Sequence, residues 1–219
     1  MNDHSAGLAN SPFFAGISED NIEEMLTCLS ARRKSYKKGE FILTAGDTTD
    51  SVGMVVSGSI LVVKEDYWGN RFILSEMGPG MIFAETYACL ATVPLEVTVE
   101  ASSDCEILFL NFNKILTTCS NACEFHARLI HNLTTILASR NKMLTKKLEH
   151  MSQKTIRDKL LSYFSDMSIS CGSPTFTIPF NRQQLADYLS SDRSALSTEL
   201  GKLQKEGVIK VSKNTFTLL

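Results

Sequence analysis

Apolar positions along this 219-residue chain change their spacing several times, and each change marks an element. Between residues 10 and 34, Ile22, Met25, Leu26 and Leu29 recur at helical intervals behind Ser18-Glu19-Asp20. That predicts an N-capped amphipathic helix whose acidic first turn matches its dipole. From Tyr36 to Leu110 the pattern becomes short apolar runs: Phe41 to Leu43, Val52 to Val56, Ile60 to Val63, Phe72 to Leu74, Val97 to Val99 and Ile107 to Leu110. Turn residues such as Gly39, Gly46, Gly58, Gly69 and Pro94 separate them, which is the spacing of an antiparallel sandwich or barrel. A barrel of this size encloses room for one small ligand at most.

The longest helical pattern runs from Ile115 to Met151, with Phe125, Leu129, Leu133, Ile136, Leu137, Leu144 and Leu148 as its stripe. Such a stripe exceeds what a small barrel can cover, so a parallel copy from a second subunit is the simplest partner. Asn132 and Asn141 are expected on its solvated face. After Ser152 come a helix from Thr155 to Ser168, a loop, and a short strand from Thr175 to Pro179. Leu185, Ala186 and Leu189 then define one helix, and Leu196, Leu200 and Leu203 a second. Asn181 with Gln184 is a capping box for the first, Ser191 or Asp192 caps the second, and Gly207 ends it. Val208 to Val211 and Thr215 to Leu219 read as two strands around Ser212-Lys213-Asn214.

A helix pair followed by a terminal hairpin is a winged helix-turn-helix. Off the leucine stripe its second helix carries Arg193, Ser194, Ser197 and Thr198, groups a major groove accepts at base edges. Arg193 leads them, because a guanidinium pairs bidentately with guanine. Arg182, Lys202 and Lys213 are assigned to phosphates. A solvated helical hairpin is the plain alternative.

The run RQQLADYLSSDRSALSTELGKLQKEGVI resembles the DNA-binding end of the Crp/Fnr transcription regulators, particularly a group common in anaerobic low-GC bacteria. GEFILTAGD and VVSGSILVVKEDYWGNRFILSEMGPGMIF resemble the same family's cyclic-nucleotide-binding domain. The resemblance implies an α+β chain in three parts. These are an effector-sensing antiparallel β-barrel of jelly-roll type with its N-terminal helix (1–116), a dimerisation helix (117–151), and a winged helix-turn-helix (152–219) with a hinge near 150–154.

The resemblance fails at the phosphate cassette. Where the family has Gly-Glu-Leu and then Arg-Ser-Ala, this chain has Ala84-Glu85-Thr86 and Leu95-Glu96-Val97. A buried cyclic phosphate needs a cation and donors, and an unpaired buried charge costs several kcal/mol. Leu95 supplies no charge and Glu96 repels one, so neither cyclic AMP nor cyclic GMP is expected to bind. An apolar pocket around Phe83, Glu85, Thr86, Leu95 and Val97 is the expected effector site. The recognition helix also departs from two branches of the family. One carries Arg-Glu with an Arg four residues after the Glu, of which Arg193 alone matches, Ser194 and Thr198 replacing the rest. The other carries Glu, Ser and Arg, of which Ser197 alone matches.

Charge sharpens the division. The net formal charge is -2, yet from Ser152 onward nine Lys and Arg face six Asp and Glu, so only the tail suits a polyanion. Six cysteines stand in a chain with no evident secretory signal, which predicts reduced thiols and a cytoplasmic location. Cys119, Cys123 and His126 at i, i+4 and i+7 share a helical stripe and are candidate ligands for zinc, iron or haem, or a redox sensor. Ile130, Leu133 and Leu137 continue that stripe, so small core residues are the other reading. An oxygen-sensing iron–sulfur cluster needs several cysteines near the N-terminus, where only Cys28 stands. Tyr67 and Trp68 are expected to pack over their turn.

The expected partners are inverted-repeat double-stranded DNA, a second copy of the chain and RNA polymerase, with no membrane. The cofactor is unknown: a small organic ligand, or a metal, haem or redox signal. Constitutive DNA binding, with the barrel as scaffold, stays open. A cupin-like metalloenzyme wants histidines inside the barrel, but His4, His126, His131 and His150 all lie outside Tyr36 to Leu110.

Overall fold

The computed structural model describes residues 6–90, 92–117 and 124–219. The chain forms two compact units, residues 1–137 and 138–219, each described by itself below.

The first unit opens with α1 (Ala6–Ala9), a 3-10 turn (Pro12–Phe14) and α2 (Glu19–Cys28). Its strands are β1 (Arg32–Tyr36), β2 (Phe41–Leu43), β3 (Ser51–Ser57), β4 (Ile60–Glu65), β5 (Arg71–Met77), β6 (Ile82–Phe83), β7 (Thr98–Ala101) and β8 (Cys105–Asn111), with α3 (Glu85–Leu90) after β6. They make two four-stranded antiparallel sheets, β1-β8-β3-β6 and β2-β7-β4-β5, a jelly-roll-like sandwich whose sheets do not close into the barrel expected. Period-two alternation explains the two cores. Val52, Met54, Leu108 and Leu110 face Phe13, Phe14, Ile22 and Leu129 on the helical side. Val55, Ile107, Tyr36 and Phe83 face Ile60 and Val99 between the sheets.

The helix expected from Ile115 to Met151 is in fact two. α4 (Phe112–Leu116) is capped by Asn111 and closed when Thr117, extended at φ -89°, ψ 119°, returns its N–H to the Asn113 carbonyl. α5 (Glu124–Met151) follows and runs through the division between the units. Asn132 does not lie on a solvated face. Its Nδ2 donates to the carbonyls of Phe13 at 3.0 Å and Ala15 at 2.9 Å, tying the N-terminal turn to α5. Ser18 has cap-like backbone angles but its hydroxyl accepts from Asn21 Nδ2 instead of a backbone N–H.

The second unit comprises the end of α5, α6 (Ile156–Cys171), β9 (Thr175–Thr177), α7 (Arg182–Tyr188), α8 (Arg193–Lys205), β10 (Ile209–Ser212) and β11 (Thr215–Leu218). The strands form one sheet, β10-β11-β9, in which the short strand before the helix pair joins the wing. Leu160, Phe164, Leu185, Leu196, Leu200, Leu203 and Phe216 fill its core. α6 runs past the expected end at Ser168 and stops at Cys171, where Gly172 takes φ 61°.

Candidate functional site

Local capping sets the helix pair. The Asn181 side chain accepts from Gln184 N while the Gln184 side chain accepts from Asn181 N, both at 2.9 Å, completing the capping box. Asp192, not Ser191, caps α8, accepting from Ala195 N at 2.8 Å. Between the helices Ser190 turns at φ 46°, and Lys159 Nζ donates to the carbonyls of Leu189 at 3.0 Å and Ser190 at 3.3 Å. A cation there satisfies the orphan carbonyls at the C-terminus of α7.

This frame buries Leu196, Leu200 and Leu203 and leaves Arg193, Ser194, Ser197 and Thr198 exposed on one side of α8. Thr198 Oγ1 donates back to the Ser194 carbonyl at 2.9 Å, which ties up its proton. Among the described residues no carboxylate pairs with Arg193. Lys202 is exposed and bonds Glu199 at 3.0 Å. Lys213 stands at the wing tip with φ 54°. Arg182 is half-buried: its guanidinium lies 5.1 Å from the Phe216 ring and donates to the Lys213 carbonyl at 3.4 Å, and burial pulls its pKa below the ordinary value. Arg182 therefore braces the wing from within.

Behind the helix pair, the ring of His150 is 3% exposed, with Nδ1 2.9 Å from Ser162 Oγ and Nε2 3.6 Å from Asp166. Burial lowers its pKa, partly offset by Asp166, which Lys146 also bonds. Tyr163 and Tyr188 crowd the same ring, and burial pushes the Tyr163 hydroxyl up to about 12. The pattern that could have announced this cluster is His150 one helical turn, four residues, after Lys146, but their acidic partner Asp166 lies on another helix.

In the first unit the cassette positions diverge. Ala84 adopts φ 60°, a left-handed conformation that costs a non-glycine residue about 1 kcal/mol. Phe83 and Leu95 are each 2% exposed, and Glu85 is buried with its polar atoms engaged. Val97 is half-buried and Thr86 exposed. Glu96 is exposed and pairs with Lys64 at 3.1 Å. Phe83 fills the space between the sheets: a Cβ on Gly53 would come within 2.2 Å of its ring, and the ring meets Phe109 edge-on at 6.4 Å.

His126 is buried and engaged on α5, while Cys119 and Cys123 lie outside the described residues. Among the described residues no group of three His, Cys, Asp or Glu could hold a metal ion. Tyr67 and Trp68 do not pack over their turn. They are 97% and 81% exposed and contact each other edge-on.

Comparison with known proteins agrees with this geometry. Residues 33–122 match the cyclic nucleotide-binding domain and residues 158–219 the Crp-like helix-turn-helix domain. The chain belongs to the Crp/Fnr family of transcription regulators. Among its curated relatives, the cyclic AMP receptor protein of Thermus thermophilus is 24% identical over 95% of this chain and 92% of its own length. The CRP-like protein Clp of Xanthomonas campestris is 21% identical over 92% and 89%. Solved structures share the fold of this Crp/Fnr chain. The Thermus thermophilus catabolite activator protein superposes with a TM-score of 0.52 at 23% identity, covering 95% of this chain and 94% of its own. OCPA-complexed CprK gives 0.63 at 15% identity, covering 89% and 91%. No helix among the described residues is long and apolar enough to cross a membrane.

Proposed function

We propose that two copies of this regulator bind an inverted-repeat operator through α8, with Arg193, Ser194, Ser197 and Thr198 at base edges and Lys202 and Lys213 at phosphates. The observation that carries this reading is the outward face of α8, anchored by the Asp192 cap and three buried leucines. A second copy is supported by Leu144 and Leu148, 62% and 66% exposed along α5, an apolar stripe that the second unit leaves bare. Two such helices one DNA turn apart would read half-sites about 34 Å apart. Arg182 takes a bracing role in place of a phosphate contact.

The gating signal on this reading is not a cyclic nucleotide. Leu95 is buried where the cassette needs a cation, Glu96 adds a negative charge, and Phe83 occupies the interior. Cyclic AMP and cyclic GMP at millimolar concentration should leave the melting temperature unchanged; a saturable rise would reverse this conclusion. The reading involves no catalysis, and RNA polymerase is the partner through which a bound regulator would act.

The decisive experiment is selection of bound sequences from random duplexes with aerobic and anaerobic protein, reading metal content on the same samples. An enriched inverted repeat supports the proposal, and dependence on redox state or metal would make Cys119, Cys123 and His126 the sensor. No enrichment under any condition counts against unliganded DNA binding.

A further inference from the structure

β1 is the least core-like strand of the sandwich, reading Arg32-Arg33-Lys34-Ser35-Tyr36 at the edge of its sheet. Its register with β8 sets Arg32 opposite Phe109, Lys34 opposite Ile107 and Tyr36 opposite Cys105. Directly paired residues share a face, and Ile107, Cys105 and Tyr36 belong to the core between the sheets. Arg32 and Lys34 therefore project toward the inter-sheet side, and Lys34 Nζ sits 4.7 Å from the Tyr36 ring. Arg33 turns to the opposite face, where Glu106 pairs with it at 3.6 Å. Among the described residues no carboxylate pairs with Arg32 or Lys34.

At this edge the sandwich gapes. A cleft of about 590 Å³ opens between β1, the end of β2 and the β2–β3 loop, with Leu43 and Phe109 as apolar lining. Its one carboxylate, Asp50, is already occupied, accepting from Ser51 Oγ at 2.7 Å and Asn111 Nδ2 at 2.8 Å. The volume is that of a small-molecule site. Arg33, paired with Glu106, also borders the cleft, and the two unpaired charges of Arg32 and Lys34 beside an apolar wall concentrate a positive potential there, which an anion would relieve. The site differs from the phosphate cassette, since β1 and β6 lie at opposite edges of the sheet.

We propose that this cleft binds a small organic carboxylate with an apolar body, its charge on Arg32 and Lys34 and its hydrocarbon against Leu43 and Phe109. This inference concerns binding alone and stands or falls apart from DNA recognition.

The test is calorimetric titration of the full chain, without DNA, using octanoate, benzoate, 2-naphthoate and inorganic phosphate. The expected result is one site per chain for at least one apolar acid, with Kd on the order of 0.1 to 1 mM, and phosphate at least about tenfold weaker. Arg32→Glu should weaken binding about tenfold or more, the scale of one charge-assisted hydrogen bond. Arg32→Lys should retain most of the affinity, and Lys38→Glu, outside the cleft, should change nothing. Should Arg32→Glu fail to fold, Lys34→Gln serves in its place, with a loss of about threefold or more. Absence of a one-site isotherm for every apolar acid, unaltered binding by the cleft variants, or phosphate binding as tightly as the acids would overturn the proposal.

Discussion

The two units place their chemistry on opposite sides of their surfaces. In the second, α8 turns three leucines inward and keeps its short polar and cationic groups outside, open to a large partner. In the first, the corresponding stretch from Ala84 to Val97 turns Glu85 and Leu95 inward, while Thr86 and Glu96 face out. A partner met from outside needs a rigid frame and one well-oriented face. A ligand enclosed between sheets needs compensating charge and vacant volume, and both depend on residues distant in sequence. One frame can thus retain its DNA-reading geometry while its enclosed site changes character.

Four perturbations probe that contrast. The largest is Gly53→Val, whose side chain would strike the Phe83 ring. A loss of about 3 kcal/mol in the first unit is expected from overpacking. Calorimetry should show the second unit's transition unmoved; a Gly53→Val chain as stable as the parent would mean that the interior is not filled. Next, Arg193→Ala should cost about 1–3 kcal/mol on the selected operator and relax one base position, with no change in melting temperature. Equal loss on random duplex would assign Arg193 to phosphates, weakening the claim that this face reads bases.

Smaller still, Ala84→Gly should stabilise the first unit by about 1 kcal/mol, because φ 60° suits glycine. No gain in chemical denaturation would show that the cassette backbone is unstrained. The mildest effect is a pH slope in the second unit. The folded-state pKa of His150 lies below its unfolded value, so its contribution is fully present above the ordinary value of 6.5 and declines as pH falls below it. Melting temperature should therefore drop between pH 7 and pH 5, and His150→Gln should flatten that slope. An unchanged slope would move the titration to another group.

Several features of the DNA-reading half are readable without coordinates because they close within a few residues. Asn181 and Gln184 cap each other across three positions, Asp192 reaches Ala195, and the leucine stripe of α8 repeats every three or four residues. Most strands of the sandwich follow in the same way from short apolar runs between turn residues. β1 does not, since Arg32 to Lys34 look like solvated loop. It is a strand because β8, more than seventy positions later, supplies its hydrogen bonds. The break at Thr117 escaped the periodic pattern because the apolar stripe continues on both sides of it.

The chain's own order of residues determined its family, the caps of its helix pair and the face α8 presents, since each depends on spacing along one element. Tertiary structure alone decided that Phe83 fills the space over Gly53, that Arg182 braces the wing, that Asn132 ties down the N-terminal turn, and that two unpaired cations, Arg32 and Lys34, border an open cleft. Each of these joins side chains far apart in sequence, where periodicity carries no information and only packing sets the distance.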